Sequence, residues 1–123
     1  NKNFTIRSNG KSTRDYVYVE DAVSAYIKVF NKLKDSNDEL KIYNVSSKFN
    51  YSVLAIINMI LKKMGNLRLK PIILNNSKQE LNFQRLNYSK IQRELKWKPT
   101  TDIAVGIKKT IDWYIKFYKF LKR

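Results

Sequence analysis

Arg14-Asp15-Tyr16-Val17-Tyr18-Val19-Glu20-Asp21-Ala22-Val23-Ser24-Ala25-Tyr26 is the stretch where the chain changes period. Tyr16 to Val19 is rich in β-branched and aromatic residues and reads as a short strand. From Glu20 onward Ala22, Ala25, Tyr26, Val29, Phe30 and Leu33 recur at helical spacing, which predicts an amphipathic helix. Glu20 and Asp21 fall in its first turn, where carboxylates complement the helix dipole. On the amino-terminal side, Phe4 to Ile6 is a second extended segment, separated from the first by the Ser8-Asn9-Gly10-Lys11 turn signal. A strand that runs directly into a helix belongs to a mixed α/β chain rather than to a bundle or a sandwich.

Farther along, Lys34 to Glu39 is polar and ends the first helix, and Lys41 to Val45 alternates like a strand. Ser52 is placed to cap a second helix carrying Val53, Ile56, Ile57, Ile60, Leu61 and Met64, with Gly65 where a left-handed residue closes a helix. Leu69 to Leu74 reads as a strand that Pro71 confines to an edge or a strand start, and Asn75 to Gln79 as a polar loop. Leu81 to Leu86 is an extended candidate. Asn87 is positioned to cap a short helix that buries Ile91 and Leu95. After Trp97-Lys98-Pro99, Thr101 or Asp102 caps a last helix with Ile103, Ile107, Ile111, Tyr114, Ile115 and Tyr118 along one face. Trp113, Phe117 and Phe120 widen that apolar stripe sideways, which implies burial on two sides or a face left bare. The expected fold is α/β, a small mixed domain over residues 1–123 with short, partly parallel strands and about four helices.

Composition limits the chemistry. The 123 residues suit one domain that buries about two-thirds of its unfolded surface, and no apolar run approaches the roughly 20 residues of a membrane span. With no cysteine and no leader pattern, the expectation is a cytoplasmic protein without disulfides. A chain that opens on Asn1, near an extended segment, reads as part of something longer. Without histidine or cysteine there is no imidazole base, no thiolate and neither of the commonest zinc ligands. The three glycines, Gly10, Gly65 and Gly106, lie too far apart for a dinucleotide or P-loop turn. No catalytic, cofactor or metal residue is therefore expected within the chain. The net charge of +15 raises the possibility of a small basic nucleic-acid-binding module. Its lysines, including Lys62, Lys63, Lys108, Lys109, Lys116, Lys119 and Lys122, are spread over polar helix faces instead, so nucleic acid is the lesser reading.

Three segments, in order, resemble the extended short-chain dehydrogenase/reductases, the NAD-dependent epimerases and dehydratases. Arg7 to Ala22 is similar to the family's glycine turn, Arg-Asp-aromatic-Val-Tyr-Val strand and Glu-Asp-Ala helix start. Ile42-Tyr43-Asn44-Val45-Ser46-Ser47 with Tyr51-Ser52-Val53-Leu54 resembles its Tyr-Asn-Val-Gly/Ser segment and the helix that follows. Ser89 to Thr101, with Gly106 to Tyr114, resembles its terminal Leu-Gly-Trp-Lys-Pro helix pair. The wording is closest to the CDP-glucose 4,6-dehydratases, with a nucleotide-sugar 4-epimerase as the alternative.

The resemblance implies the carboxyl-terminal nucleotide-sugar-binding part of a two-domain, homo-oligomeric enzyme of carbohydrate biosynthesis. A Rossmann domain outside this chain would hold NAD and the Ser/Thr and Tyr-x-x-x-Lys catalytic set. Tyr16 and Tyr114 do not supply that set, since their i+4 partners are Glu20 and Tyr118. By the same resemblance, the substrate would be a nucleotide-diphosphate sugar, with Arg14 on the diphosphate and Asn44 beside the nucleotide. A guanidinium fork suits phosphate oxygens in its own right. The family's second arginine falls at Asn82, and Arg85 three positions later would face the other way on a regular strand. A nucleic-acid module and a sugar-nucleotide lobe differ in salt response. Oligonucleotide binding by this chain is expected to vanish near physiological salt, whereas a fluorescence titration holding a steep, linear salt slope through that range would favour the nucleic-acid module.

Overall fold

The computed structural model describes residues 4–34, 41–77 and 80–121, with the side chains of Lys119 and Leu121 excepted. The elements run β1 (Thr5–Ile6), β2 (Thr13–Arg14), α1 (Val19–Leu33), β3 (Tyr51–Ser52), α2 (Val53–Lys63), β4 (Ile72–Ile73), α3 (Ser89–Leu95) and α4 (Ile103–Leu121). β1 pairs in parallel with β4, and β2 pairs antiparallel with β3. Among the described residues the fold is thus the mixed α/β arrangement of short strands and four helices that the sequence implies, with both pairing senses present.

The second helix follows its local signals. Ser52 Oγ accepts from Ala55 N–H at 3.1 Å, and Val53 and Leu54 donate their N–H groups to the carbonyls of Ser12 and Gly10. The open amino end of α2 is therefore seated on the turn that leads into β2. Gly10 has φ +74°, and a Cβ there would lie 2.6 Å from Leu54 Cγ. Only glycine satisfies both the backbone and the close approach. Gly65, with φ +66°, closes the helix as expected. Asp102, the second of the two cap candidates, accepts from Ala104 N–H at 2.8 Å and starts α4. Asn87 caps less directly: its Oδ1 accepts from Ser89 N–H at 2.8 Å, one residue ahead of a regular cap.

Several expected strands are shorter than the sequence suggests. Tyr16 to Val19 forms no ladder; pairing stops at Arg14, and Val19 already belongs to α1. Lys41 to Val45 is likewise unpaired as backbone and is held by side chains, with Lys90 Nζ donating to the Ile42 carbonyl and the Tyr43 hydroxyl to Glu94. In both cases no described strand lies alongside to accept the ladder. Leu69 to Leu74 contracts to β4, which has one neighbour and begins right after Pro71, as an edge strand should. The Asn9-Gly10 turn is not a hairpin, because β1 and β2 pair with other strands and Asn9 stays out of the positive-φ region. Asp35 to Glu39, with Lys78, Gln79 and Lys122, lie outside the described residues.

α1 is fixed to the α3–α4 junction by one residue. Asp21 is 4% exposed, and its carboxylate accepts from Thr100 N–H at 3.1 Å, Thr100 Oγ1 at 2.9 Å and Thr101 N–H at 3.0 Å. One turn away, Trp97 Nε1 donates to Ser24 Oγ at 2.9 Å and to the Asp21 carbonyl at 3.2 Å. The indole, 1% exposed, packs with Ala25 and Ile91 and meets Tyr88 edge to face at 5.9 Å. Burying an indole N–H requires a partner of this kind. Leu95, expected to be buried, is only partly so.

Much of the apolar surface is bare. Tyr26 and Phe30, expected on the packed stripe of α1, are exposed with Val19, Val23 and Ile27, because α1 packs through Ala25 and Val29 instead. On α4, Trp113, Tyr114, Ile115, Tyr118 and Phe120 are exposed. The accessible surface is 9955 Å² for 14.6 kDa, against about 6,900 Å² for a compact chain of that mass.

Two stability predictions follow from these contacts. Burial raises the Asp21 pKa, but the donor bonds from Thr100 and Thr101 outweigh it and hold the carboxyl below its usual value. Its contribution is therefore complete above the unfolded value of about 3.9 and is lost as pH falls through the lowered folded value. Asp21→Ala should cost about 3 kcal/mol in urea unfolding at pH 7, with a smaller loss relative to wild type as pH drops below about 4. Lys96, the carboxyl cap of α3, has φ +51°. Lys96→Gly should stabilise the chain by about 1 kcal/mol, read as a raised melting temperature.

Candidate functional site

β2 is the centre of the site. On one side Thr13 and Arg14 pair with Ser52 and Tyr51. On the other, Thr13 makes an isolated parallel bridge with Phe83, with Thr13 N–H donating to the Asn82 carbonyl at 2.9 Å and Gln84 N–H to the Thr13 carbonyl at 3.2 Å. The expected extended segment Leu81 to Leu86 therefore lies beside β2, joined to it at this single step.

Arg14 is a quarter exposed in its side chain. Its Nη1 donates to the Thr13 carbonyl at 2.8 Å, and its Nη2 faces Glu80 Oε1 at 3.4 Å. The neighbouring acids that could have claimed the guanidinium are committed elsewhere. Asp15 accepts from Ser46 and Leu86, and Asp21 from Thr100 and Thr101. Glu20 accepts from Lys109 Nζ at 2.7 Å, a contact that holds its carboxyl below the usual range and raises the lysine. Glu80 also lines an open polar cleft of about 380 Å³ with Arg7, Ser8 and Ser77. Arg14 thus pairs with a residue that lines the cleft, without lining it itself, and is not sealed in by the acids near it in sequence.

The other three expected ligands lie in the 82–86 segment and in the segment before the 46–50 turn. Asn82 is exposed and joins β2 through its carbonyl. Arg85 is exposed, and its Nη2 donates to the Lys48 carbonyl at 3.2 Å. Arg14 and Arg85 consequently have different anchors, Glu80 for one and the 46–50 turn for the other. Asn44 Nδ2 reaches the Asn87 carbonyl at 3.4 Å. The sequence reading missed Glu80, although it is the sole acid between Leu40 and Arg93, and a lone carboxylate in a basic stretch is a usable signal.

A larger groove of about 640 Å³ opens between α2 and α4, walled by Tyr18, Phe49, Ile56, Ile107, Ile111 and Tyr114. Its lining is mostly apolar, and Arg14 lines neither this groove nor the smaller cleft. Lys48, Lys90, Lys109 and Lys116 lie over the rings of Phe49, Tyr43, Tyr18 and Phe117 respectively, at four separate places on the surface. Among the described residues no group of His, Cys, Asp and Glu could hold a metal ion, and no helix is long and apolar enough to cross a membrane.

Residues 1–110 match the family model described as GDP-mannose 4,6 dehydratase. UDP-glucuronate 4-epimerase 4 of Arabidopsis thaliana is 25% identical over 94% of this chain and 28% of its own length. The dTDP-D-glucose 4,6-dehydratase of Homo sapiens is 27% identical over 93% of this chain and 33% of its length. Among solved structures, the UDP-glucuronic acid 4-epimerase of Bacillus cereus, in complex with UDP-glucuronic acid and NAD, superposes with a TM-score of 0.82 at 25% identity, covering 95% of this chain and 36% of that one. This chain spans about a third of the length of these relatives. Matched over all but its last residues, and folded as its relatives fold, the chain belongs to the GDP-mannose 4,6 dehydratase family of extended short-chain dehydrogenase/reductases.

Proposed function

We propose that residues 1–123 form the nucleotide-sugar-binding part of an NAD-dependent 4,6-dehydratase or 4-epimerase, with Arg14 gripping the substrate's diphosphate. The observation that carries this reading is the Arg14 guanidinium, partly exposed at the end of β2 and paired with Glu80, which lines a polar cleft. A guanidinium held at Nη1 by the Thr13 carbonyl and at Nη2 by Glu80 keeps its other N–H groups for phosphate oxygens. Asn82, Arg85 and Asn44, strung along the adjacent segments, are the further candidates for the phosphate, ribose and base. Arg85 takes the role of a second phosphate arginine by releasing its exposed bond to the Lys48 carbonyl.

Dehydratase and epimerase relatives both match this chain. CDP-glucose as the substrate rests on the resemblance of the Arg7 to Ala22 wording and of Leu69 to Asn75. A cytoplasmic enzyme of carbohydrate biosynthesis, homo-oligomeric when whole, completes the reading.

The residues described do not fit NAD. Gly10 is in a turn packed on Leu54, Gly65 ends α2 and Gly106 lies within α4, so none forms a glycine-rich strand-to-helix turn for a pyrophosphate. The redox chemistry is accordingly assigned outside these residues. What this chain contributes is affinity and orientation: holding the nucleotide end restricts where the sugar can lie.

Calorimetry at about 150 mM salt tests this. UDP or CDP should bind weakly, NAD should give no binding heat, and Arg14→Ala should lower nucleotide affinity about tenfold or more, the range for a charge-assisted hydrogen bond. Unchanged affinity in Arg14→Ala, or micromolar NAD binding, would overturn the assignment.

A further inference from the structure

Beyond Thr13, side chains continue the pairing between β2 and the 82–86 segment where the backbone stops. In a parallel ladder registered on Thr13 and Phe83, the next bonds would run from Asp15 N–H to the Gln84 carbonyl and from Leu86 N–H to the Asp15 carbonyl. Neither is what forms. Leu86 N–H donates to the Asp15 carboxylate Oδ2 at 2.9 Å, and the Gln84 carbonyl accepts from Asn50 Nδ2 at 2.9 Å. The same Asp15 oxygen accepts from the Ser46 hydroxyl at 2.6 Å, and Ser46 is 0% exposed.

One oxygen atom therefore ties three segments, and each tie lies next to a candidate ligand. Asp15 follows Arg14, Leu86 follows Arg85, and Ser46 is two residues from Asn44. The remaining links of the 82–88 segment to the 44–50 segment, through Asn44, Asn50 and Arg85, are exposed bonds that water can replace. The bond from Ser46 is shielded from that competition.

We propose that Asp15 is a positioning residue: its carboxylate sets the register of the 82–86 segment and of the Asn44–Ser46 segment against β2, so that Arg14, Arg85 and Asn44 face one ligand. This rests on the diphosphate reading of Arg14. Because Asp15 is itself an anion, it acts against the phosphate by charge and for it by geometry, and the two effects separate on mutation.

The test uses this chain with UDP and inorganic pyrophosphate as probes. Asp15→Ala should weaken UDP binding about tenfold, whereas Asp15→Asn, whose single carbonyl oxygen can accept both bonds, should stay within about threefold of wild type. Ser46→Ala, which changes no charge, should lose about threefold. Without ligand, hydrogen exchange at the Leu86 amide should accelerate in Asp15→Ala and not in Asp15→Asn, with far-ultraviolet circular dichroism unchanged in both. Affinity that stays level or rises in Asp15→Ala, while Arg14→Ala still lowers it about tenfold or more, would overturn the positioning role alone. A wild-type chain that binds neither probe would overturn the diphosphate reading and this proposal with it.

Discussion

The buried carboxylate of Asp21 is the constraint on which the arrangement depends. A charge this shielded is tolerable only when its lone pairs are filled, and three donors from Thr100 and Thr101 fill them. Those donors belong to the link between α3 and α4, so the start of α1 and the start of α4 are fixed relative to each other. Trp97 completes the joint: its ring fills the space between α1 and α3, and its N–H reaches Ser24 and the Asp21 carbonyl. With α1 held in this way, the Tyr16–Tyr18 segment that leads out of β2 has a defined path. Arg14, at the other end of that path, inherits its place from a joint that touches no ligand.

The same economy governs the acids as a group. The chain has 10 Asp and Glu against 25 Lys and Arg, and the acids near β2 are each committed to a named contact. Asp15 ties the Ser46 and Leu86 segments to the end of β2, Glu20 holds Lys109, Asp21 joins helices, and Glu80 pairs with Arg14. None of them is left as a pair of facing carboxylates suited to acid–base work. The chain also lacks histidine and cysteine, so it carries neither an imidazole nor a thiol.

Local signals in the sequence predict the helices well, because caps and periodicity act over a few residues. Ser52, Gly65 and Asp102 do what their positions suggest, and Ile91 is buried at the centre of the core. The strands are a different matter. Tyr16 to Val19 and Lys41 to Val45 have strand composition but no ladder, since pairing depends on a neighbour supplied from far along the chain. Side chains then take over as partners, as Asp15 and Asn50 do, and no periodicity reveals that substitution. At the site, the motif singles out Arg14, whereas its contact with Glu80 spans 66 residues and no local spacing joins the two. The reading of Asp21 as a dipole partner for its own helix was incomplete for the same reason: its donors come from a helix start about 80 positions away.

The bare apolar faces of α1 and α4 carry a consequence for the molecule in solution. Tyr26, Phe30, Ile115 and Phe120 would by themselves make copies of the chain adhere. A net charge of +15 opposes this, since like-charged molecules repel over roughly a Debye length. The lysines thus act as a colloidal stabiliser, and raising ionic strength, which shortens that range, shifts the balance toward self-association.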